Sequence, residues 1–168
     1  NIGCLDVREI KEDLAKEITE IENVGLLIES DKSQLLLKDC KKKNIGSSLK
    51  LPSDKDVSIM PVNGEIKIDR DYLEGLIKPI VLLVNGLITF KEGIDKELLN
   101  ESVYMILVNG VLVVPKYLNG IIQSKGQING KVNVYKNGYI YFDDKVKITN
   151  RFLKSLRPSS KIAVNNLL

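Results

Sequence analysis

The stretch ILVNGVLVV, from Ile106 to Val114, decides how the chain reads. Apolar residues alternate around Asn109-Gly110, and the same pattern returns upstream. Repeats take precedence over single residues, because a missed period mis-assigns the whole fold. With Asn63, Asn85 and Asn109 in register, each is followed by glycine, and the steps between them are 22 and 24 residues. Met60, Leu82 and Ile106 stand three before the Asn, and Val62, Val84 and Val108 just before it. Ile66, Ile88 and Leu112 stand three after, and Ile68, Phe90 and Val114 five after. Apolar residues at every second position describe a strand with one buried face. Beyond the strand, Tyr72, Ile94 and Leu118 form one column and Leu76, Leu98 and Ile122 a second, four residues on. That spacing is one face of a helix. Asp69 is placed to cap a helix over Arg70–Leu76, and Pro79 forbids its extension.

Each unit therefore reads as a strand followed by a short helix. The fold class expected is an α/β repeat: a right-handed solenoid of strand-plus-short-helix coils with a parallel β-sheet, because parallel neighbours need a crossover and a helical turn supplies one. The competing architecture is an antiparallel β-meander in which each Asn-Gly is a hairpin turn. The faces discriminate. A hairpin at Asn129 would pair Ile128 with Lys131, whereas a strand running through the bend keeps Ile128, Val132 and Val134 on one side. At Asn137-Gly138 the apolar column holds Lys136, so one hairpin is expected there, near 137–138.

Working outward, the chain reads as a single repeat domain, 1–168. Residues 1–22 form an N-terminal capping helix region, with the best helix over 8–22 on the stripe Ile10, Leu14 and Ile18. Asn23 takes the repeat slot, with Leu26 and Ile28 in its strand columns. Asn1 takes it less well, its strand positions slipping to Leu5 and Val7. From Asn23 to Asn63 is 40 residues, so 33–56 is read as an insertion holding a strand at Leu35–Leu37 and a loop at Lys41–Lys43 and the following Asn-Ile-Gly-Ser-Ser. Residues 57–122 are the clearest repeats, 123–142 a hairpin-containing irregular repeat, and 143–168 the C-terminal repeats, with Asp143-Asp144 and Asn165-Asn166 in the Asn slot.

Composition narrows the chemistry. The chain of 168 residues carries no His and only two cysteines, Cys4 and Cys40. Without His, a Ser–His–Asp or Cys–His centre cannot be assembled from this chain, and two cysteines are too few for a disulfide framework. Lys41–Lys43, just after Cys40, would lower that thiol's pKa. No Walker loop, dinucleotide fingerprint or Cys-x-x-Cys is present. Carboxylate pairs exist at Asp69/Asp71 and Asp143/Asp144, the residue types that glycoside hydrolysis uses. Their positions at strand ends and turns fit capping better. No apolar run approaches the ~20 residues of a membrane span. The net charge of +3 is too near balance to argue for nucleic acid. The chain begins without Met, as a trimmed piece would, and a cytoplasmic location is expected.

The run Ile77, Ile80, Leu82, Asn85 and Leu87 resembles the core pattern of the leucine-rich-repeat family, and Tyr104, Ile106, Asn109 and Val111 match it in part. At Asn63 the pattern carries Lys55 and Glu65 in apolar places. The resemblance implies a horseshoe whose exposed sheet recognises protein, with no catalysis.

The functional expectation is a non-enzymatic protein-binding or scaffold module on a short solenoid. A self-assembling structural protein is the first alternative and a carboxylate-dependent hydrolase the second. No catalytic, cofactor or metal site is assigned. Tyr is a frequent anchor of binding patches, so Tyr117, Tyr135, Tyr139 and Tyr141 are the candidate partner-binding residues, expected in an exposed patch. The chain stops inside an apolar strand motif, at Val164-Asn-Asn-Leu-Leu168. A homo-oligomer through this C-terminal edge, or a chain that continues, is therefore expected.

Overall fold

The computed structural model describes residues 2–142 and 147–164. The chain, expected as one repeat domain, divides into two compact units, 1–56 and 57–168. Both are α/β, with parallel sheets and short helices.

In the first unit, β1 (Ile2–Asp6), β2 (Glu20–Glu29) and β3 (Lys41–Lys50) form a three-stranded sheet in that order, all parallel. Helices α1 (Glu12–Glu17) and α2 (Asp31–Leu36) are the crossovers. Three expectations change here. The helix expected over 8–22 is confined to α1, and it follows a strand rather than capping the chain. Ile18, Thr19 and Ile21 are β-branched, and the ladder from Glu20↔Lys41 onward claims the backbone from Glu20. Ile21 is then buried in β2 while Leu14 of the supposed stripe is 51% exposed. The strand expected at Leu35–Leu37 is instead the end of α2. Ser30 caps that helix by accepting from Ser33 N at 3.1 Å, while Ser33 Oγ accepts from Ser30 N at 2.8 Å. This reciprocal cap satisfies two otherwise orphaned donors. The lysine-rich loop is the strand β3, so residues 33–56 hold a helix and a strand of the sheet. β3 lacks clean alternation because it is an outer strand with most of its side chains in water. Ile45 packs inward, and the lysines meet acids of the preceding strand and helix. Lys42 pairs with Glu29 at 2.5 Å, Lys50 with Asp31 at 2.5 Å, and Lys43 with Glu20.

In the second unit, β4 (Ser58–Ile68), β5 (Ile80–Phe90), β6 (Val103–Pro115) and β7 (Gly126–Tyr135) form a four-stranded parallel sheet in sequence order. Helices α3 (Arg70–Glu74), α4 (Lys96–Ser102) and α5 (Lys116–Ser124) lie between them. The register over β4, β5 and β6 is the one the sequence columns predict, Asn63↔Asn85 and Asn85↔Asn109; the segment read as an irregular repeat continues it, with Asn109↔Asn129 in β7. β5 and β6 run through their Asn-Gly without reversing, which removes the antiparallel meander. Leu82, Val84, Ile88 and Phe90 of β5 and Ile106, Val108, Leu112 and Val114 of β6 are at most 1% exposed. Burying a side chain of this size contributes about 1.5–3 kcal/mol, and these eight are half of the buried side chains of this core cluster. Asp69 caps α3 as expected, accepting from Tyr72 N at 2.9 Å. Of the expected helical columns, Ile94, Leu118 and Ile122 are buried and Tyr72, Leu76 and Leu98 pack partly buried against the core, while α3 and α4 bury Leu73 and Leu99, one residue on from Tyr72 and Leu98, completely. Ile77, a core position in the leucine-rich pattern, is fully exposed.

The hairpin expected near 137–138 does not form a ladder. β8 (Tyr139–Phe142) pairs in parallel with β9 (Lys161–Val164), across α6 (Asn150–Ser155), rather than folding back on β7. The turn is held by other partners. Tyr117 N donates to Asn137 Oδ1 at 3.0 Å, and Gly138 N donates to Glu92 Oε1 at 3.0 Å. Asn1, Asp143-Asp144, Val146, Asn165-Asn166 and Leu168 lie outside the described residues, so the repeat slots expected there and the C-terminal apolar end at Leu168 do too.

Candidate functional site

Two features of the folded chain concentrate unusual chemistry: a column of stacked asparagine amides and a cluster of tyrosines.

The asparagines form a directional ladder. Asn85 Nδ2 donates to Asn63 Oδ1 at 3.1 Å, Asn109 Nδ2 to Asn85 Oδ1 at 2.9 Å, and Asn129 Nδ2 to Asn109 Oδ1 at 3.0 Å. Asn85 and Asn109 each donate toward the preceding strand and accept from the next, Asn63 only accepts and Asn129 only donates within the ladder, so the four strands are tied in register. All four asparagines are exposed. The neighbouring glycines explain the sharp bend beneath them. Gly86, Gly110 and Gly130 have φ of 140°, 143° and 148°, and a Cβ on Gly110 would lie 2.0 Å from the Gly86 carbonyl oxygen. Only glycine permits this conformation and this stacking distance.

The first unit carries a variant of the same device that the columns missed. Asn44 Nδ2 donates to Asn23 Oδ1 at 2.6 Å. Here the asparagine itself takes the left-handed conformation, with φ 57° at Asn23 and 50° at Asn44. Glycine follows at the second position, in Asn23-Val24-Gly25 and Asn44-Ile45-Gly46, and a Cβ on Gly46 would lie 2.6 Å from the Gly25 oxygen. The shared spacing Asn-x-Gly was the signal for Asn44, which stands beside Asn23 on the neighbouring strand.

The tyrosines are drawn together only in part. Tyr135 and Tyr141 stack with ring centroids 5.1 Å apart. They are 6% and 7% exposed and pack with Val113 on the sheet face opposite the main core, where Leu87, Val111, Tyr139 and Ala163 join them. Tyr135 OH donates to Phe90 O at 2.9 Å. The exposed aromatic patch expected at Tyr135–Tyr141 is thus largely a second small core, because β8 and β9 supply side chains that cover the outer face of the sheet. Tyr139 remains half-buried, with Lys161 Nζ 6.0 Å from its ring centre. Tyr117 stands apart. Its hydroxyl donates to Ile94 O at 2.9 Å and accepts from Gly93 N at 3.1 Å. Burial, and next the charge of Glu92, push its pKa above the ordinary tyrosine value. An open cleft of about 340 Å³ lies beside the cluster, lined by Asn133, Lys136, Tyr139, Tyr141 and Val164.

The remaining chemical candidates serve the fold. Asp69 is occupied as a helix cap. Arg8 binds the Asp6 carboxylate with Nε and Nη2, at 3.0 and 2.8 Å, and reaches Lys55 O at 3.1 Å. Burial pushes the Cys40 thiol up, outweighing the Lys42 charge that works against it. Burial likewise raises Cys4, with Asp6 adding to the effect. Among the described residues, no three His, Cys, Asp or Glu side chains are grouped to hold a metal ion, and no helix is long and apolar enough to cross a membrane. Comparisons with known protein families, curated proteins and solved structures find no match.

Proposed function

We propose that the chain is a non-enzymatic binding or scaffold module built on a short solenoid. The observation that carries this reading is the strict register of the second unit, in which equivalent residues of four successive strands sit side by side. Stacked coils of this kind present a long ordered face and bind through it. The face in question lies outward, just before the bend. Pro61, Leu83, Leu107 and Gln127 form one column there, with Leu83 and Leu107 half-buried, and the exposed asparagine ladder runs beside it. A partner surface carrying apolar side chains next to amides or hydroxyls matches both columns at once.

The test is a Leu83→Lys/Leu107→Lys double variant, used beside the wild-type chain to capture partners from native extract. A specific species held by the wild type and lost by an equally folded variant supports the reading. An identical set captured by both refutes it.

A second reading, self-association, has its own observation. Ile140, Ile148, Leu153 and Val164 of the C-terminal segment are 42%, 64%, 53% and 41% exposed, and such apolar groups favour a second copy as cover. Sedimentation over a dilution series decides it: a constant monomer mass at the highest concentration removes this reading.

A further inference from the structure

Six Asn-Gly pairs occur in the chain. At such a pair the glycine nitrogen can attack the asparagine side-chain amide, because no Cβ on the following residue obstructs the approach. Four of the six asparagines, Asn63, Asn85, Asn109 and Asn129, hold their amides in the ladder, inside paired strands. Asn119 lies within α5, where it accepts from Gln123. Asn137-Gly138 differs. It lies in an exposed turn, with Gly138 at φ 77°, and two groups from distant parts of the unit converge on its reacting atoms. The Glu92 carboxylate oxygen is 3.0 Å from Gly138 N, the nucleophile. Tyr117 N, in the first turn of α5, is 3.0 Å from Asn137 Oδ1, the oxygen that gains charge.

We propose that Asn137-Gly138 is a self-modifying site at which the fold promotes conversion of Asn137 to aspartate and isoaspartate. Gly138 N forms a bond to the side-chain carbonyl carbon of Asn137 while Glu92 accepts the N–H proton. A carboxylate within hydrogen-bond reach of the proton it removes meets the geometric requirement of a general base. The oxyanion that forms on Oδ1 is held by Tyr117 N and by the positive end of the helix behind it, a preorganised donor aimed at developing charge. The carbon–nitrogen bond of the amide then breaks. Ammonia leaves with the proton that Glu92 returns, and a cyclic imide remains. Water opens the imide at either carbonyl, giving the two acids. The net change is the exchange of ammonia for the elements of water, with no oxidant or reductant. The product places a carboxylate opposite Glu92, so the turn that ties β8 to α5 and to the loop after β5 acquires like charges.

The experiment is timed incubation of the full chain near neutral pH, followed by peptide mass spectrometry that separates aspartate from isoaspartate at each Asn-Gly. Three samples are compared: the native protein, the protein unfolded in urea, and a native Glu92→Gln variant. Glutamine keeps an oxygen to accept from Gly138 N but takes up no proton, so it separates catalysis from simple support of the turn. We expect Asn137 to convert faster than the other five, faster in the native chain than in urea, and at least about tenfold more slowly in the variant, given that positioned acid–base groups contribute about 10²–10⁴-fold. Conversion in urea at the native rate or faster, or an unchanged rate in the variant, overturns the proposal.

Discussion

The asparagine ladder has a direction, and that direction predicts an asymmetry between chemically identical substitutions. Asn109 both donates, to Asn85 Oδ1 at 2.9 Å, and accepts, from Asn129 Nδ2 at 3.0 Å. Asn63, in the first strand of the sheet, enters the ladder only as an acceptor, from Asn85 at 3.1 Å. Replacing either with aspartate keeps the shape and removes the donor. In Asn109→Asp a carboxylate oxygen then faces Asn85 Oδ1 across a hydrogen-bond distance, acceptor against acceptor. The lost bond is worth about 0.5–1.5 kcal/mol net, and the repulsion is softened because the site is exposed to water. Set against the stronger bond that the new carboxylate accepts from Asn129, these terms leave a cost of about 1 kcal/mol at neutral pH. In Asn63→Asp the accepting oxygen remains and becomes charged, which strengthens the bond from Asn85. The expected change there is within about 0.5 kcal/mol of zero, the usual range for a surface substitution. The pH dependence adds a second check. Protonation lets the new carboxyl at position 109 donate to Asn85, so the folded state favours the neutral form and raises its pKa above the unfolded value of about 3.9. A raised folded pKa means that the variant's deficit is smallest below the unfolded pKa and grows as pH rises through the folded one. Urea denaturation followed by tyrosine fluorescence and circular dichroism, at neutral pH and near pH 3, measures all of this. Equal destabilisation by the two substitutions at neutral pH, or a deficit for Asn109→Asp that does not shrink in acid, would refute the directional ladder.

Three further outcomes test the packing within the two units. Gly110→Ala places a methyl group against the Gly86 oxygen, 2.0 Å away at φ 143°, and should cost about 3 kcal/mol or more, since overpacking adds to the backbone strain. Gly64→Ala meets nothing within 4 Å and carries only its backbone strain, of order 1–3 kcal/mol; urea midpoints of the two give the comparison. Val84 and Val108 are register partners and each is 1% exposed, so truncating either to Ala should cost about 1–3 kcal/mol through lost methyl groups and a residual cavity. A near-zero change for both in the same assay contradicts the register. Finally, burial raises the thiol pKa of Cys4 and Cys40, which lowers their thiolate fraction at neutral pH. Their alkylation should be slower in the native chain than in urea, and the ratio should narrow as pH rises toward their pKa values, as timed trapping with iodoacetamide will show.

The sequence by itself determined the parallel register over 57–122. Each strand there buries one face against the same core, so the apolar columns had to align or leave methyl groups in water. It also determined that the strands pass through Asn-Gly, since a reversal at Asn129 would have mixed buried and exposed faces. The cap at Asp69 was legible for a local reason, as the side chain and the donor it satisfies are three residues apart. The tertiary structure decided what those local rules leave open. β3 reads as a loop because an outer strand draws its stability from backbone bonds to β2 and from lysines matched to Glu20, Glu29 and Asp31, none of which leaves an apolar period. The turn at Asn137-Gly138 carries a strong hairpin signal, yet its partners are Glu92 and Tyr117, and β8 finds its ladder in β9, beyond α6. The tyrosines follow the same logic. A residue with an apolar ring and a polar tip suits an exposed binding patch as well as a buried seam. Only the arrival of β8 and β9 over the outer face of the sheet settled that Tyr135 and Tyr141 are buried, because that packing depends on where a later part of the chain comes to rest.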